Sequence, residues 1–227
     1  MQNIEKNLSR ILQQIEQAAN TCERNAIDIS LLAVSKRKPA ADIRHAYACG
    51  QRDFGENYLQ EAEQKIHELS DLDICWHFIG PIQSNKTRLL AQDFDWVHCV
   101  DRLKVARRLS EQRSTSKSPL NICIQVNVDH EESKSGINLE DVPELAKQIA
   151  ALPNIRLRGL MTIPAQRDSF ESQRKPFARL RAALENLNQI GYDCDTLSMG
   201  MTHDMAAAIA EDATLVRIGT AIFGERS

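Results

Sequence analysis

The sequence predicts a single α/β domain built as a (β/α)8 barrel of the TIM type, preceded by one extra N-terminal helix. Three observations lead there. Eight short runs rich in β-branched or aromatic residues alternate with longer stretches of helical periodicity. The chain has 227 residues, close to the roughly 250 that such barrels typically take. The first strand-to-helix turn, SKRKPA, contains no glycine, whereas an open doubly wound sheet usually has a Gly-rich turn at that point.

Each element follows from local pattern. Ile4, Leu8, Ile11, Ile15 and Ala19 recur at helical spacing with polar residues between them, which makes an amphipathic helix with a narrow apolar face. The strand candidates are, in order, ISLLAVS, RDFG, CWHFIG, DWVHCV, NICIQVNV, IRLRGLMTI, DTLSM and TLVRIG. Helices are expected to begin near Pro39, Tyr58, Ser84, Asp101, Leu139, Asp168 and Thr202, with Ser84 and Asp101 as caps. SEQRSTSKSPL reads as a surface connection before the fifth strand. No long linker, low-complexity tract or close repeat interrupts the pattern, so residues 1–227 are expected to form one domain.

Composition narrows the function classes. A net charge of −3 and a pI near 6.1 supply no excess of positive charge for nucleic acid or an anionic membrane. No apolar run approaches the roughly 18 residues of a membrane span, and the opening MQNIEKNLSR carries charge too early for a signal peptide. Six scattered cysteines without a C-x-x-C pair point to reduced, mostly buried thiols. A cytoplasmic monomer is the expectation. His77, His98 and His203 show no H-x-x-x-H or H-x-H pairing, so no metal site is expected.

In a barrel of this kind the reactive groups gather at the C-terminal ends of the strands. Those ends supply Lys36, Asn57, His77, Asn127 with the SKSG turn, Met161, the SMGMTHDM turn, and Arg217 with Gly219 and Thr220. Gly200 lets the backbone approach a ligand, and Thr202 offers a hydroxyl before a helix whose first N–H groups point back at the turn. Gly219-Thr220 repeats that chemistry after strand eight. Two Gly/Thr turns after strands seven and eight read as a phosphate cradle, because barrels often bind phosphate between those loops. Lys36, expected at the last position of strand one, shares strand parity with Val34 and Leu32 and so faces the barrel mouth. A lysine at a strand end is more commonly solvated, as expected for Lys38 beside Pro39. A partly desolvated one can lose its proton and form a Schiff base with a carbonyl. Above a phosphate cradle, the natural ligand is an aldehyde carrying a phosphate.

The motifs LLAVSKRKP, FGENYLQEA, WHFIGPIQSNK, VNVDHEESKSGI, RGLMTIP, LSMGMTHDM and VRIGTAIFGER closely resemble the pyridoxal phosphate homeostasis proteins, in order and over nearly the entire chain. The resemblance implies a barrel related to the alanine racemase N-terminal domain, with pyridoxal 5′-phosphate as a Schiff base on Lys36. It implies that Arg217 faces the pyridine nitrogen, that Thr202, Gly219 and Thr220 bind the phosphate, and that Asn57, His77 and Met161 line the pocket. Thr202 stands where the family usually has serine, and its extra methyl stiffens the side chain or crowds the phosphate. His203 is expected to be a bystander. An arginine opposite the ring nitrogen only donates, which makes the cofactor a poorer electron sink. No second domain of the kind that supplies a base in the racemases is expected. The expected function is therefore a carrier that holds the cofactor and releases it to apo-enzymes. The rival is a low-activity racemase or lyase on the same cofactor; a Lys36 aldolase fits the fold but not the motifs.

Overall fold

The computed structural model describes residues 3–225. Eight parallel strands close into a barrel in sequence order: β1 Ser30–Val34, β2 Asp53–Glu56, β3 Cys75–Phe78, β4 Trp96–Val100, β5 Leu120–Gln125, β6 Ile155–Met161, β7 Thr196–Ser198 and β8 Leu215–Ile218. The β1–β8 pairing closes the ring, with Leu32 in register with Arg217 and Ala33 with Ile218. The helices are α1 Ile4–Thr21, α2 Ala40–Ala48, α3 Leu59–Glu68, α4 Thr87–Asp93, α5 Leu103–Gln112, α6 Val142–Ala150, α7 Phe170–Gln189, α8 Met205–Ala210 and α9 Thr220–Phe223. The main apolar core lies between this helical layer and the outward faces of the strands. No described helix is long and apolar enough to cross a membrane.

The expected α1 face is the one buried: Ile4, Leu8, Ile11, Ile15 and Ala19. Asn7 Nδ2 donates to Ile222 O at 2.9 Å and Arg10 to Ala221 O at 3.3 Å, so α1 braces the turn after β8. Several boundaries move. Ser84 opens a short 3-10 turn ahead of α4, and α5 is capped at Arg102 rather than Asp101. Ser169, not Asp168, caps α7, with its side chain accepting from Ser172 N. The passage SEQRSTSKSPL is loop only in its second part, because α5 runs through Gln112 and buries Ser110. Of these shifted starts, only that of α7 is marked by a side-chain acceptor; elsewhere the ends shift by the residue or two over which helix boundaries commonly vary.

The turn after β1 is clamped from both sides. Lys65, from α3, is buried and its ammonium donates to Ser35 O (2.8 Å), Glu56 Oε1 (2.7 Å) and Glu61 Oε1 (2.5 Å), which uses all three of its N–H groups. Ser35 Oγ also donates to Glu56 Oε1 at 2.6 Å, and Glu61 Oε1 accepts from Arg37 N at 2.5 Å. Arg37 sits at φ 60°, a left-handed conformation that costs a non-glycine residue energy and that this network sustains. Residues 35 and 37 are thus fixed to α3, with Lys36 between them.

Burial raises the pKa of Glu56, against the opposing pull of Lys65 and Ser35. Removing the cation in Lys65→Met leaves a buried, uncompensated carboxylate and should destabilise the fold by about 3–5 kcal/mol. A carboxyl whose folded pKa lies above its unfolded one loses stability as pH rises between the two values. The deficit of Lys65→Met should therefore be larger in denaturant melts at alkaline than at mildly acidic pH. A pH-independent deficit would show that Glu56 is not the group left charged.

Candidate functional site

A cavity of about 490 Å³ opens at the C-terminal ends of the strands, within the range of small-molecule sites. Lys36, Asn57, Met161, Thr202, Arg217, Gly219 and Thr220 all line it. Ile79, Ile163 and Ala221, with Val34 from the layer below Lys36, add an apolar wall; the first three were not singled out from the strand ends. No aspartate or glutamate is among the lining residues, so its charged side chains are cationic.

Lys36 is not on the strand. β1 ends at Val34, and Lys36 lies two residues further on, in the turn held by the Lys65 network. The side chain still reaches the mouth because parity is kept through Ser35, which points away to Glu56. Lys38, as expected, turns outward, and its ammonium donates to Glu225 O at 2.7 Å. Asn57 lines the cavity, and its buried Oδ1 has no hydrogen-bond partner among the described residues. Its position depends on Gly80, where a Cβ would lie 2.1 Å from Asn57 O. Asn127, by contrast, is occupied locally: its Nδ2 donates to Glu131 O and its Oδ1 accepts from Glu131 N.

The turn after β7 differs from its expectation. Helix α8 begins at Met205, not at Thr202, and Asp204 Oδ1 accepts from Met201 N at 2.6 Å to hold the turn together. Thr202 is left exposed at the cavity edge, next to His203, which also lines the wall instead of standing apart from it. Gly200 does not line the cavity. Its φ of +94° turns the chain, and a Cβ there would lie 2.6 Å from the Ala208 Cβ. Gly219 has φ −116° and caps α9; the space a Cβ would take is bounded by Val34 O at 3.1 Å. Of the two glycine turns, only the first needs a left-handed residue.

Arg217 forms the floor. It is only 4% exposed, with Nη1 donating to Ser198 O (2.5 Å) and Ser198 Oγ (2.8 Å) and Nη2 to Thr162 O (2.8 Å). Burial pulls its pKa down to about 10, with Asp204 opposing, so the guanidinium stays charged at neutral pH. These three bonds leave two of its five N–H groups for the cavity side.

His77 corrects the expected pocket lining. It is 1% exposed and lies inside the barrel beneath the cavity, stacked on Trp96 at 5.5 Å. Its parity along β3 points it inward, as the strand pattern requires, but at a depth below the mouth. There it meets Asp53 and Cys75, and these three residues bring metal-capable atoms within 4.8 Å of one another. Histidine spacing alone misses this grouping because Asp53 comes from the neighbouring strand. The donors engage each other, with Nε2 3.0 Å from Asp53 Oδ1 and 3.3 Å from Cys75 Sγ. Burial and the nearby carboxylates hold the Cys75 thiol far above its usual pKa and hence protonated.

The alanine racemase N-terminal domain family matches residues 6–227. The pyridoxal phosphate homeostasis protein of Pseudomonas aeruginosa is 57% identical over 100% of this chain and 97% of its own length. That of Escherichia coli K12 is 49% identical, covering 100% of this chain and 98% of the relative. The chain belongs to the pyridoxal phosphate homeostasis protein family. Among solved structures, PipY from Synechococcus elongatus with PLP bound superposes with a TM-score of 0.85 at 36% identity, over 98% of this chain and 100% of that one.

The turn geometry can be tested without any ligand. Gly200→Ala forces a left-handed alanine against Ala208 and should lower stability by roughly 1–3 kcal/mol in chemical denaturation. An unchanged midpoint would mean that the turn relaxes and that the glycine is not structurally required.

Proposed function

We propose that this chain binds pyridoxal 5′-phosphate in the cavity at the barrel mouth, holds it covalently through Lys36, and passes it on without catalysing a reaction of its own. The observation that carries this reading is the convergence of Lys36, Arg217, Thr202 and Thr220 on one cavity whose lining includes no carboxylate. Pyridoxal 5′-phosphate supplies an aldehyde that condenses reversibly with primary amines and a ring that can serve as an electron sink.

The residues fit that group part by part. Lys36, held by the clamped turn, brings a primary amine to the mouth above the apolar surface of Val34. Thr202 and Thr220 bring hydroxyl donors from two adjacent loops, and the first N–H groups of α9 have no acceptor within their own helix. A phosphate dianion would find cations and donors there, with Asp204 of the same turn accepting from Met201 N. At the floor, Arg217 presents N–H groups and can only donate, so it meets a ring nitrogen as an acceptor and opposes its protonation. The same charge that fixes the ring therefore weakens its use as an electron sink, which favours holding and exchange over chemistry at an α-carbon.

Two experiments test the reading. Borohydride reduction of the loaded protein followed by peptide mapping should place the pyridoxyl-phosphate adduct on Lys36, and Lys36→Ala should abolish it. Adduct at Lys38 or Lys134 instead would remove the covalent assignment. For the function itself, loaded protein mixed with an apo-enzyme that requires the cofactor should restore that enzyme's activity. With L-alanine in deuterated water it should incorporate negligible deuterium at the α-carbon. Rapid α-exchange, with His203 as the imidazole available at the wall, would favour a racemase or lyase.

A further inference from the structure

The interior of this barrel is not filled by aliphatic layers alone, the usual solution for the fold. A line of polar side chains crosses it from β8 to β2. Arg217 Nη1 donates to Ser198 Oγ at 2.8 Å, and that oxygen lies 2.8 Å from His98 Nδ1. His98 Nε2 is 2.9 Å from His77 Nδ1, and His77 Nε2 is 3.0 Å from Asp53 Oδ1. Ser198 and His98 are fully buried and His77 nearly so, whereas the Asp53 side chain is 36% exposed at the opposite mouth. The chain thus runs from the cavity floor to solvent on the other face.

Donor and acceptor roles can be assigned from both ends. Arginine only donates, so Ser198 Oγ accepts from it and keeps its own hydrogen to give. Burial raises the pKa of Asp53, but the hydrogen bonds from His77 and Cys75 work against it and the carboxyl lies below its usual range. An ionised carboxylate only accepts, so His77 Nε2–H donates to it. His98 is held neutral, first by burial and then by His77 and Arg217. Where His77 carries a single proton, as the directional chain requires, the two imidazoles have one consistent arrangement: Ser198 Oγ–H donates to His98 Nδ1, and His98 Nε2–H donates to His77 Nδ1. The reverse direction would require both nitrogens of His77 to carry protons. Each link in the consistent arrangement polarises the next in the same sense.

We propose that Ser198, His98, His77 and Asp53 are positioning residues for Arg217, forming one directional hydrogen-bond chain that holds its guanidinium as a donor at the cavity floor and ties it to the opposite mouth of the barrel. The chain itself stands on the geometry above; its effect on ligand rests on the cofactor reading given under the proposed function. Removing a link frees the guanidinium to rotate away from the ring atom that it faces, without touching the ligand or its phosphate.

The test reads tautomers and affinities separately. Long-range proton–nitrogen NMR of the uniformly labelled, ligand-free chain near neutral pH should show His98 protonated at Nε2 and His77 Nδ1 without a proton. Asp53→Leu, at the half-exposed end, should scramble the His98 tautomer, while Asp53→Asn, which keeps an acceptor, should preserve it. Ser198→Ala should then weaken pyridoxal 5′-phosphate binding about tenfold. It should leave unchanged the affinity for the 1-deaza analogue, in which C–H replaces the ring nitrogen. Equal loss for both ligands would reduce Ser198 to a structural role and overturn the proposal, as would Nδ1–H on His98 in the native chain. If neither ligand binds the native protein but the tautomers and the Asp53 variants behave as stated, the cofactor reading fails and the chain stands. If ligand binds and the tautomers are mixed, the chain fails and the cofactor reading survives.

Discussion

Burying the Arg217 guanidinium costs desolvation, and the barrel offsets that cost with oriented acceptors in place of an adjacent carboxylate. Ser198 O, Ser198 Oγ and Thr162 O surround it, and no ion pair is formed with it among the described residues. The consequence spreads through the interior. An arginine on β8 needs a serine on β7 with a free oxygen; that serine needs an acceptor, found in His98 across the lumen on β4; His98 needs His77, and His77 needs Asp53. A polar group placed inside a barrel cannot be satisfied singly, because each partner brings its own unpaired atom. The cavity above owes its floor to this arrangement.

The upper rim is held by a different device. Short loops on a rigid scaffold are where functional groups normally sit, and here two of them are tied to helices outside the barrel. The Lys36 turn is fixed to α3 through Lys65 and Glu61, and the Thr220 turn is braced by Asn7 and Arg10 on α1. The extra N-terminal helix is thus part of the site's support, although it contributes no residue to the cavity. A rim fixed at Lys36 and at the Thr220 turn, over an arginine floor, suits the proposed role of holding a reactive aldehyde in one place.

Much of this was legible from residue pattern, for identifiable reasons. Strand and helix order follow from periodicity, which survives into the fold because each element has one face in the core. The buried face of α1 is the predicted one residue for residue. Cavity residues read from strand ends succeeded where a side chain's parity and its height both place it at the mouth, as for Met161 and Arg217. His77 had the right parity and the wrong height. Parity is a property of the strand, but height depends on the barrel's stagger, which relates each strand to its neighbours and is written in no single segment.

Composition, periodicity and motif order by themselves determined the barrel, the extra helix, the lysine–arginine pair and the two threonine turns, because these are local preferences repeated along the chain. Tertiary structure alone decided that Lys36 stands beyond its strand in a strained turn, that α8 begins after Thr202, and that His98 and Ser198 meet across the lumen. Two of those outcomes depend on partners far away in sequence, Glu61 for the Arg37 amide and a residue 100 positions away for the His98 ring, while the third turns on the bond from the Met201 amide to Asp204 and the packing of Gly200 on Ala208. A hydrogen bond between distant residues leaves no periodic trace along the chain, so only the closed barrel could reveal it.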